Sequence, residues 1–313
     1  MKTRFILNPI SGRNRRRPWL PAAIRDFITA RSIAADLAIT EGPGHATELA
    51  RDAVQAGCEQ VIAAGGDGTM NEVAQALLHT STALGLIPCG SGNGLALHLG
   101  LPLALPAALA LTVVGSRVAA IDTGEADGKP FFNAMGLGLD ADVSSRFNGL
   151  TRRGLPAYVR TAVAAIRALR PERVSISNGS YRDEYDVLLV AIANSDQYGN
   201  NARIAPGARV DDGVLDLIAV SPVGAFAAAT LAVRLFAGNF DQSRHVRRLS
   251  GSRFIIDRCA PGIIHTDGET HQAAARFEVV VRPRSLRVLL PLSSPIAPRS
   301  PDWAPAGFSL QLT

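Results

Sequence analysis

The stretch that reads QVIAAGGDGTMNE, residues 60–72, decides the fold of this chain. Its first part, residues 60–64, is apolar and partly β-branched, which is typical of a buried strand, and two glycines end it. Thr69 and Glu72 stand three residues apart in front of an apolar run, a spacing that predicts a capping box at the start of a helix. The stretch therefore predicts a strand, a glycine-rich turn and a helix in that order.

This turn has the composition of a phosphate site. Gly65, Gly66 and Gly68 allow a ligand to approach the backbone closely, and the free N–H groups at a helix start attract anions. Asp67 would repel a bare phosphate, so we interpret it as holding a metal or accepting a proton. The alternative is purely structural, with Asp67 capping the turn and Thr69 capping the helix.

The first 121 residues repeat the same pattern. Strands are predicted at 4–8, 35–39, 60–64 and 84–88, with helices at 19–30 and 45–55 between them. This alternation predicts an α/β domain with a doubly wound parallel sheet that binds its ligand at the carboxyl ends of the strands. The strand ends bring Asn8, Thr40, the turn Gly65 to Thr69 and the turn containing Ser91 and Asn93 to one edge of the sheet. Neither a GxxxxGK[ST] loop nor a dinucleotide fingerprint is present.

The second half has a different pattern. Short runs separated by Gly, Asp and Asn turns predict an antiparallel β-sandwich, with added helices at 156–169 and 223–238. The predicted strands are 118–122, 131–135, 173–177, 187–193, 214–220, 254–257, 277–281 and 286–290. We expect domains at 1–121 and 122–292, and a tail at 293–313 packed on the first domain.

Composition narrows the function. The chain has 313 residues and a net charge of +5, and its arginines cluster at 13–17, 152–153 and 244–248. Such clusters bind anionic lipid or phosphate, or are simply solvated, but no aromatic residues alternate with them, so we exclude nucleic acid as a partner. Three widely separated cysteines favour a reducing cytoplasm. We predict no signal peptide and no membrane-spanning segment.

The motifs together resemble the diacylglycerol kinase catalytic family, in particular the bacterial lipid kinases related to diacylglycerol and sphingosine kinases. The resemblance covers residues 4 to about 290. It is carried by Asn8-Pro9, Thr40, Gly44-His45-Ala46, the turn Gly65 to Glu72, residues 88–96, Phe132-Asn133, Ala193-Asn194, Pro206-Gly207-Ala208, Asp212-Gly213 and Asp267-Gly268-Glu269.

The resemblance implies an ATP-dependent lipid kinase with Mg²⁺ as cofactor, ATP between two domains, and peripheral contact with the inner face of the membrane. Glu269 matches the general base, Asp267 assists it, and Asp67 belongs to the catalytic set. A Mg²⁺ ion would be held by the carboxylate of Asp212 and the carbonyls of Arg209 and Val214. ATP would contact Asn8, Thr40, Gly65, Gly66, Asp67, Gly68, Thr69, Met70, Asn71, Glu72, Ser91 and Asn93.

Several alternatives stay open from the residues alone. Asp267-Gly268 is also a common hairpin turn, and Asp211-Asp212-Gly213 is another. A kinase of a soluble molecule, as in NAD kinases, or a nucleotide-binding regulator without catalysis would share the glycine turn. The lipid acceptor is left unnamed, and a homodimer is one open alternative.

Overall fold

The computed structural model of the chain describes residues 2–138, 171–179, 181–294 and 296. Strands and helices alternate through the first domain, as predicted. They are β1 (Thr3–Leu7), α1 (Leu20–Ala30), β2 (Ala35–Ile39), α2 (His45–Gln55), β3 (Gln60–Gly65), α3 (Asp67–Leu77), β4 (Ala83–Pro88), α4 (Gly94–His98) and α5 (Leu105–Leu111). A short 3-10 helix lies at Asn14–Arg16. The four strands pair in parallel in the order β2-β1-β3-β4.

Helices cover both faces of this parallel sheet. Helices α2 and α3 pack on one face through side chains such as Ala50 and Val73. Helices α1 and α5 pack on the other face, where Ile24 and Leu109 contact the core that contains Ile62. Because both faces are covered, the central strands β3 and β4 are buried at every position. The predicted doubly wound α/β domain is confirmed.

The second half is mostly strands. They are β5 (Ser116–Ala126), β6 (Lys129–Phe131), β7 (Ala134–Gly138), β8 (Glu172–Ser177), β9 (Arg182–Val187), β10 (Leu189–Ala193), β11 (Gln197–Gly199), β12 (Ala202–Arg203), β13 (Leu215–Val220), β14 (Val246–Gly251), β15 (Arg253–Arg258), β16 (Gly262–Thr266), β17 (Glu269–Ala273) and β18 (Arg276–Pro291). Among the described residues of this half, helix α6 (Ala225–Ala237) and a 3-10 turn at Phe240–Gln242 interrupt them.

These strands form the predicted antiparallel sandwich. A six-stranded sheet in the order β14-β13-β10-β7-β16-β17 faces the part of the first sheet that runs β18-β15-β8-β9. Leu137, Ile192 and Leu217 from one sheet meet Phe254 and Val279 from the other in a fully buried core. Alternate residues of each strand point into this core, as expected for packed sheets.

Strand β18 joins the two domains. Residues 277–281 and 286–290, predicted as two strands, are one strand with a register shift between Arg282 and Leu286. Its first part packs in the sandwich core, whereas Leu286, Val288 and Leu290 pack in the first domain beside α2 and α3. The local sequence did not show this because Arg282 to Ser285 looks like a turn. The expected domain limits at 121 and 292 stay a prediction.

Two other strand predictions were wrong in detail. Residues 187–193 form the end of β9 and all of β10, because Leu188 leaves the ladder and donates its N–H to Val220 O at 2.8 Å. Residues 131–135 span the end of β6 and the start of β7. The helix expected at 223–238 is α6. The helix expected at 156–169, the arginines at 152–153 and most of the tail lie outside the described residues.

Candidate active site

The first glycine turn joins β3 to α3 under tight steric constraint. A Cβ on Gly65 would lie 2.5 Å from Cβ of Thr69, and one on Gly66 would lie 3.1 Å from Oγ of Ser11. A Cβ on Gly68 would meet no atom within 4 Å. Gly65 and Gly66 are therefore needed by the fold itself, while Gly68 faces open space at the start of an eleven-residue helix, where a phosphate would fit.

The predicted capping box is wrong. Helix α3 begins at Asp67 with Gly66 as its N-cap, two residues before Thr69. Thr69 Oγ1 instead accepts a hydrogen bond from Asn8 Nδ2 at 3.1 Å. Glu72 Oε2 accepts the backbone N–H of Ala46 at 3.1 Å, so Glu72 serves the start of α2. Both side chains are used by elements distant in sequence, which the local spacing could not reveal.

Asp67 links the two glycine turns. Its Oδ2 accepts the N–H of Asn93 at 2.8 Å and its Oδ1 accepts the N–H of Gly94 at 2.7 Å. A Cβ on Gly92 would lie 2.6 Å from Asp67 Oδ2, so the Asp67 carboxylate leaves no room for a side chain at position 92. Asp67 therefore holds the second turn with both carboxylate oxygens. This is a structural role, the alternative to binding a metal or accepting a proton.

The other predicted nucleotide residues divide into three groups. Asn8, Asn93 and Thr40 shape the strand ends: Asn93, with a left-handed φ of 52°, exchanges two hydrogen bonds with the Gly90 backbone. Met70 and Asn71 are 5% and 3% exposed, so their side chains lie in the interior. The surface of the site is formed by the exposed residues Gly68 and Ser91.

The second domain contacts the second glycine turn directly. Asn200 donates its N–H to Gly92 O at 2.9 Å, and a Cβ on Gly199 would lie 3.0 Å from Gly92 Cα. His98 Nδ1 lies 2.6 Å from Oδ1 of Asp196, and both side chains are largely buried. Strand β11 can approach α4 and the turn before it closely because Gly199 and Gly92 have no side chains.

Asn133 connects this junction with the predicted catalytic hairpin. A Cβ on Gly94 would lie 3.3 Å from Asn133 Oδ1, which also accepts a hydrogen bond from Ser195 Oγ at 2.9 Å. The N–H of Asn133 donates to Asp267 Oδ1 at 2.8 Å. Asp67, Gly94, Asn133 and Asp267 therefore follow one another across the two domains, with hydrogen bonds from Gly94 to Asp67 and from Asn133 to Asp267 and with the Gly94 backbone next to the Asn133 side chain.

Asp267 and Glu269 lie on the hairpin between β16 and β17 but have different environments. Asp267 and Gly268 have positive φ values of 50° and 89°, as in a two-residue hairpin turn. The Asp267 carboxylate also accepts N–H groups from Phe132 at 2.7 Å and Ala134 at 3.1 Å. Burial outweighs these hydrogen bonds and raises the pKa of Asp267 to about 6.

Glu269 is the accessible acid of this pair. It is exposed at the first position of β17, opposite Thr266, and its carboxylate makes no hydrogen bond with the described part of the chain. Two residues along the same strand face, His271 Nε2 lies 2.7 Å from Thr266 Oγ1. Burial lowers the pKa of His271, although the charge of Glu269 opposes this. Asp267 fixes the hairpin and leaves Glu269 available to a substrate.

The residues predicted to hold a metal lie on a loop before β13. Burial raises the pKa of Asp212, and the carboxylates of Asp216 and Asp211 add to this effect. Asp211 pairs with Arg209 at 2.9 Å and Asp216 with Arg248 at 2.9 Å, whereas no arginine of the described ranges pairs with Asp212. Within the described ranges, no three His, Cys, Asp or Glu side chains are grouped to hold a metal. The Asp212 carboxylate is a donor of the kind that Mg²⁺ prefers, and its Oδ1 accepts the N–H of Val214 at 3.2 Å.

Asp122 was not predicted as a site residue; it is the last residue of the predicted strand 118–122, and in the structure it lies within β5. It is 1% exposed, and its carboxylate accepts the N–H of Gly213 and the N–H of Arg284, both at 2.7 Å. Burial raises its pKa. Asp122 therefore ties the Asp212 loop to the register shift of β18. An acid at the end of a strand followed by Thr123 was the only available signal.

Asn194 belongs to the Ala193-Asn194 motif, and no role was predicted for it. It is fully buried, and its Nδ2 donates to Asp122 O and Phe132 O, both at 2.9 Å. A polar residue directly after the wholly apolar strand β10 was the signal for this role. Asn194 holds together the strand ends on which the site is built.

Comparison with known proteins agrees with this architecture. The profile of the diacylglycerol kinase catalytic domain matches residues 2–126, and that of the YegS C-terminal NAD kinase beta sandwich-like domain matches residues 133–290. In the described ranges, no helix has both the length and the apolar character needed to cross a membrane.

Individual relatives give the same result. A protein of Pseudomonas aeruginosa named "Probable lipid kinase YegS-like" is 32% identical, covering 84% of this chain and 87% of its own, and one of Pseudomonas savastanoi pv. phaseolicola is 32% identical over 85% and 87%. The crystal structure of a diacylglycerol kinase from Bacillus anthracis str. Sterne superposes with a TM-score of 0.71 at 20% identity, covering 94% and 98% of the two chains. A second structure from that strain has a TM-score of 0.78 at 23% identity, covering 94% and 96%. The chain is therefore a kinase that belongs to the diacylglycerol kinase catalytic-domain family, together with the YegS-like bacterial proteins.

Proposed function

We propose that this enzyme transfers the γ-phosphate of ATP to a hydroxyl group of a membrane-derived lipid of the diacylglycerol or sphingosine kind. The observation that carries the proposal is the succession from Asp67 through the neighbouring residues Gly94 and Asn133 to Asp267, with a hydrogen bond at each end. It supports a single site in which the phosphate turn of one domain and the acidic hairpin of the other act on the same reactants. The names of the relatives support the lipid as acceptor.

The ATP phosphates would bind at the Gly65 to Thr69 turn. The open side of Gly68 and the N–H groups at the start of α3 support this, because a helix N-terminus favours an anion and no Cβ obstructs it. Arg13, whose N–H donates to Cys89 O at 2.9 Å, lies beside both turns and is exposed. Asp67 would keep the two turns together while the phosphates are bound.

Glu269 would act as the general base. As the lipid oxygen forms its bond to the γ-phosphorus, Glu269 takes the hydroxyl proton, and the bond from that phosphorus to the β–γ bridging oxygen breaks to release ADP. The exposed, unbonded carboxylate of Glu269 supports this role, whereas the three hydrogen bonds to Asp267 support a positioning role for that residue.

Mg²⁺ would bind at two sites, one with ATP and one at Asp212. Mg²⁺ accompanying ATP neutralises phosphate charge during transfer. A second Mg²⁺ would be held by Asp212 with the carbonyls of Arg209 and Val214. Burial, and to a smaller extent the charges of Asp216 and Asp211, raise the pKa of Asp212, and a bound cation would offset both effects on its carboxylate.

The test is transfer of radiolabel from γ-labelled ATP with Mg²⁺ into lipid extract in mixed micelles, followed by separation of organic and aqueous products. Wild type is expected to label the organic phase, and Glu269→Gln to lose nearly all of that label while still binding ATP. The matched control is Glu184→Gln, since Glu184 is an exposed acid on β9 paired with Arg173. Label in the aqueous phase alone would indicate a soluble acceptor and contradict the proposal, as would full turnover by Glu269→Gln.

A further inference from the structure

Helix α6 packs on the second domain through one face only. Leu231 and Leu235 are buried against the outer face of the six-stranded sheet, where they meet Ile218 and Val220. This is the ordinary way in which a surface helix covers a sheet. The opposite face would then be expected to carry polar or charged side chains.

The outer face of α6 is apolar instead. Phe226 is 88% exposed and Val233 is 53% exposed, and they lie two turns apart on the same side of the helix. Thr230 lies between them, and its hydroxyl already donates to Phe226 O at 3.1 Å. Ala237 continues the same line and is also exposed. Water therefore contacts a stripe that contains no charged group.

The surroundings of this stripe are basic. The sequence contains no Asp or Glu between Asp216 and Asp241, and Asp241 is held by Arg248 at 2.8 Å. Arg244 is exposed and forms no ion pair with an acid among the described residues. Arg234 borders the stripe and donates to Asn239 O. Arg203 lies near Gly238 at the end of the helix, where Asp196 pairs with it at 3.7 Å, so Arg234 and Arg244 are the arginines that carry the argument. An apolar stripe bordered by arginines is the composition of an interfacial helix.

Helix α6 is also close to the candidate site. Its last turn contacts β12, which pairs with β11. Strand β11 ends at Gly199, which contacts Gly92 of the second glycine turn. A membrane or protein bound to α6 would therefore be separated from the second glycine turn by β12 and β11.

We propose that the outer face of α6 is the surface by which this protein binds a bilayer containing anionic lipid. Phe226 and Val233 would enter the boundary between headgroups and acyl chains, and Arg234 and Arg244 would contact the headgroup phosphates. This inference rests on the proposed function, because it names the surface through which a lipid kinase reaches its substrate.

A second copy of the chain fits this surface less well. A two-fold interface brings the same patch together from both copies, so it would collect Arg234 and Arg244 of both copies in one interface to which α6 contributes no acid. The stripe also contains only two large apolar side chains, Phe226 and Val233, which would bury little apolar surface compared with a stable dimer interface. Charge complementarity therefore favours an anionic lipid surface.

The test is co-sedimentation of the full-length protein with vesicles of phosphatidylcholine alone and of phosphatidylcholine mixed with phosphatidylglycerol, without ATP. We expect wild type to bind the mixed vesicles more tightly. The double variant Phe226→Ser, Val233→Ser should bind them at least about ten-fold more weakly, on the order of the effect of burying one large apolar side chain. Arg244→Gln should reduce the preference for the mixed vesicles. The matched control is Val114→Ser, Leu292→Ser, two apolar residues that are 64% and 67% exposed elsewhere.

The outcomes separate this inference from the proposed function. If the α6 double variant phosphorylates a short-chain, water-soluble diacylglycerol like wild type but loses turnover on vesicles, both are supported. If it binds vesicles like wild type while lipid is phosphorylated, the docking surface is wrong and the function stands. If vesicle binding depends on α6 but no lipid is phosphorylated, the proposed function fails alone. Loss of a dimer in sedimentation velocity with unchanged vesicle binding would assign the stripe to a second copy and overturn the inference.

Discussion

Asp67 Oδ1 lies 2.7 Å from the amide nitrogen of Gly94, so the first residue of α3 holds the first residue of α4. The two residues are 27 positions apart in the chain. Together with the bond from Asn93 to Oδ2, this contact makes the two glycine turns one rigid unit. The geometry of the predicted phosphate site therefore depends on a carboxylate that does not need to touch the phosphate.

Asp67→Asn should destabilise the protein, because the amide group has only one acceptor oxygen for two N–H donors. We expect the free energy of unfolding to fall by about 1 to 3 kcal/mol, the usual cost of a donor left unsatisfied in a partly buried place. Urea unfolding followed by circular dichroism measures this. Unchanged stability would mean that the link between the turns is not important for the fold.

Gly92→Ala and Gly68→Ala form a matched pair of substitutions in the two turns. The Cβ at residue 92 would lie 2.6 Å from Asp67 Oδ2, so Gly92→Ala should lower the melting temperature by several degrees. The Cβ at residue 68 meets nothing within 4 Å, so Gly68→Ala should leave stability equal or slightly higher. Gly68→Ala should nevertheless weaken ATP binding, measured by calorimetry, if phosphate approaches that backbone. Equal effects of both on stability would contradict the steric argument.

The pKa of Asp267 predicts a pH dependence of stability. In the folded protein this pKa is raised to about 6 from an ordinary value of 3.8, because the carboxyl group is buried. The native state therefore holds this proton more tightly than the unfolded state, and the resulting stabilisation is complete below about pH 4. It is lost as the pH rises through 6, by an amount on the order of 3 kcal/mol.

Urea unfolding at pH values between 4 and 7 tests this, with Asp267→Asn as the comparison. The variant has no proton to lose at this position, so its free energy of unfolding should decline less than that of wild type over the same interval. Parallel curves for the two proteins would show that Asp267 is not the group responsible.

Removal of Mg²⁺ should affect stability if the Asp212 site holds the ion. We expect Mg²⁺ to raise the melting temperature of wild type in the absence of ATP, because an ion that binds only the folded state stabilises it. Asp212→Asn should abolish this shift. Asp122→Asn should reduce it, since Asp122 positions the same loop through Gly213. Differential scanning fluorimetry with Mg²⁺ and with EDTA measures the melting temperatures of all three proteins. If Mg²⁺ raises the melting temperature of Asp212→Asn as much as that of wild type, Asp212 is not a ligand.

Local pattern in the sequence was sufficient for the order of elements. Strand β2 and helix α2 have the predicted limits, β3, β4 and α1 differ by one residue at one end, and β1 is shifted by one residue. Burial on both faces and apolar spacing are properties of short segments, which is why local pattern predicts them. In the sandwich the local pattern was less complete, since β11, β12, β14, β16 and β17 were not among the predicted strands. The resemblance in the motifs then indicated the family, which the comparisons confirmed.

Only the tertiary structure decided how the site residues are used. The partners of Thr69 and Glu72, the contact of Asp67 with Gly94, and the bond from Asp267 to Phe132 across 135 residues all join segments that are distant in the chain. The same is true of β18, whose turn-like residues 282–285 stay in one strand because Asp122 binds the N–H of Arg284. Hydrogen bonds of this kind depend on where the chain returns in space, and no local spacing records that. The sequence determined which residues meet at the strand ends, and the fold determined which of them remain free to act.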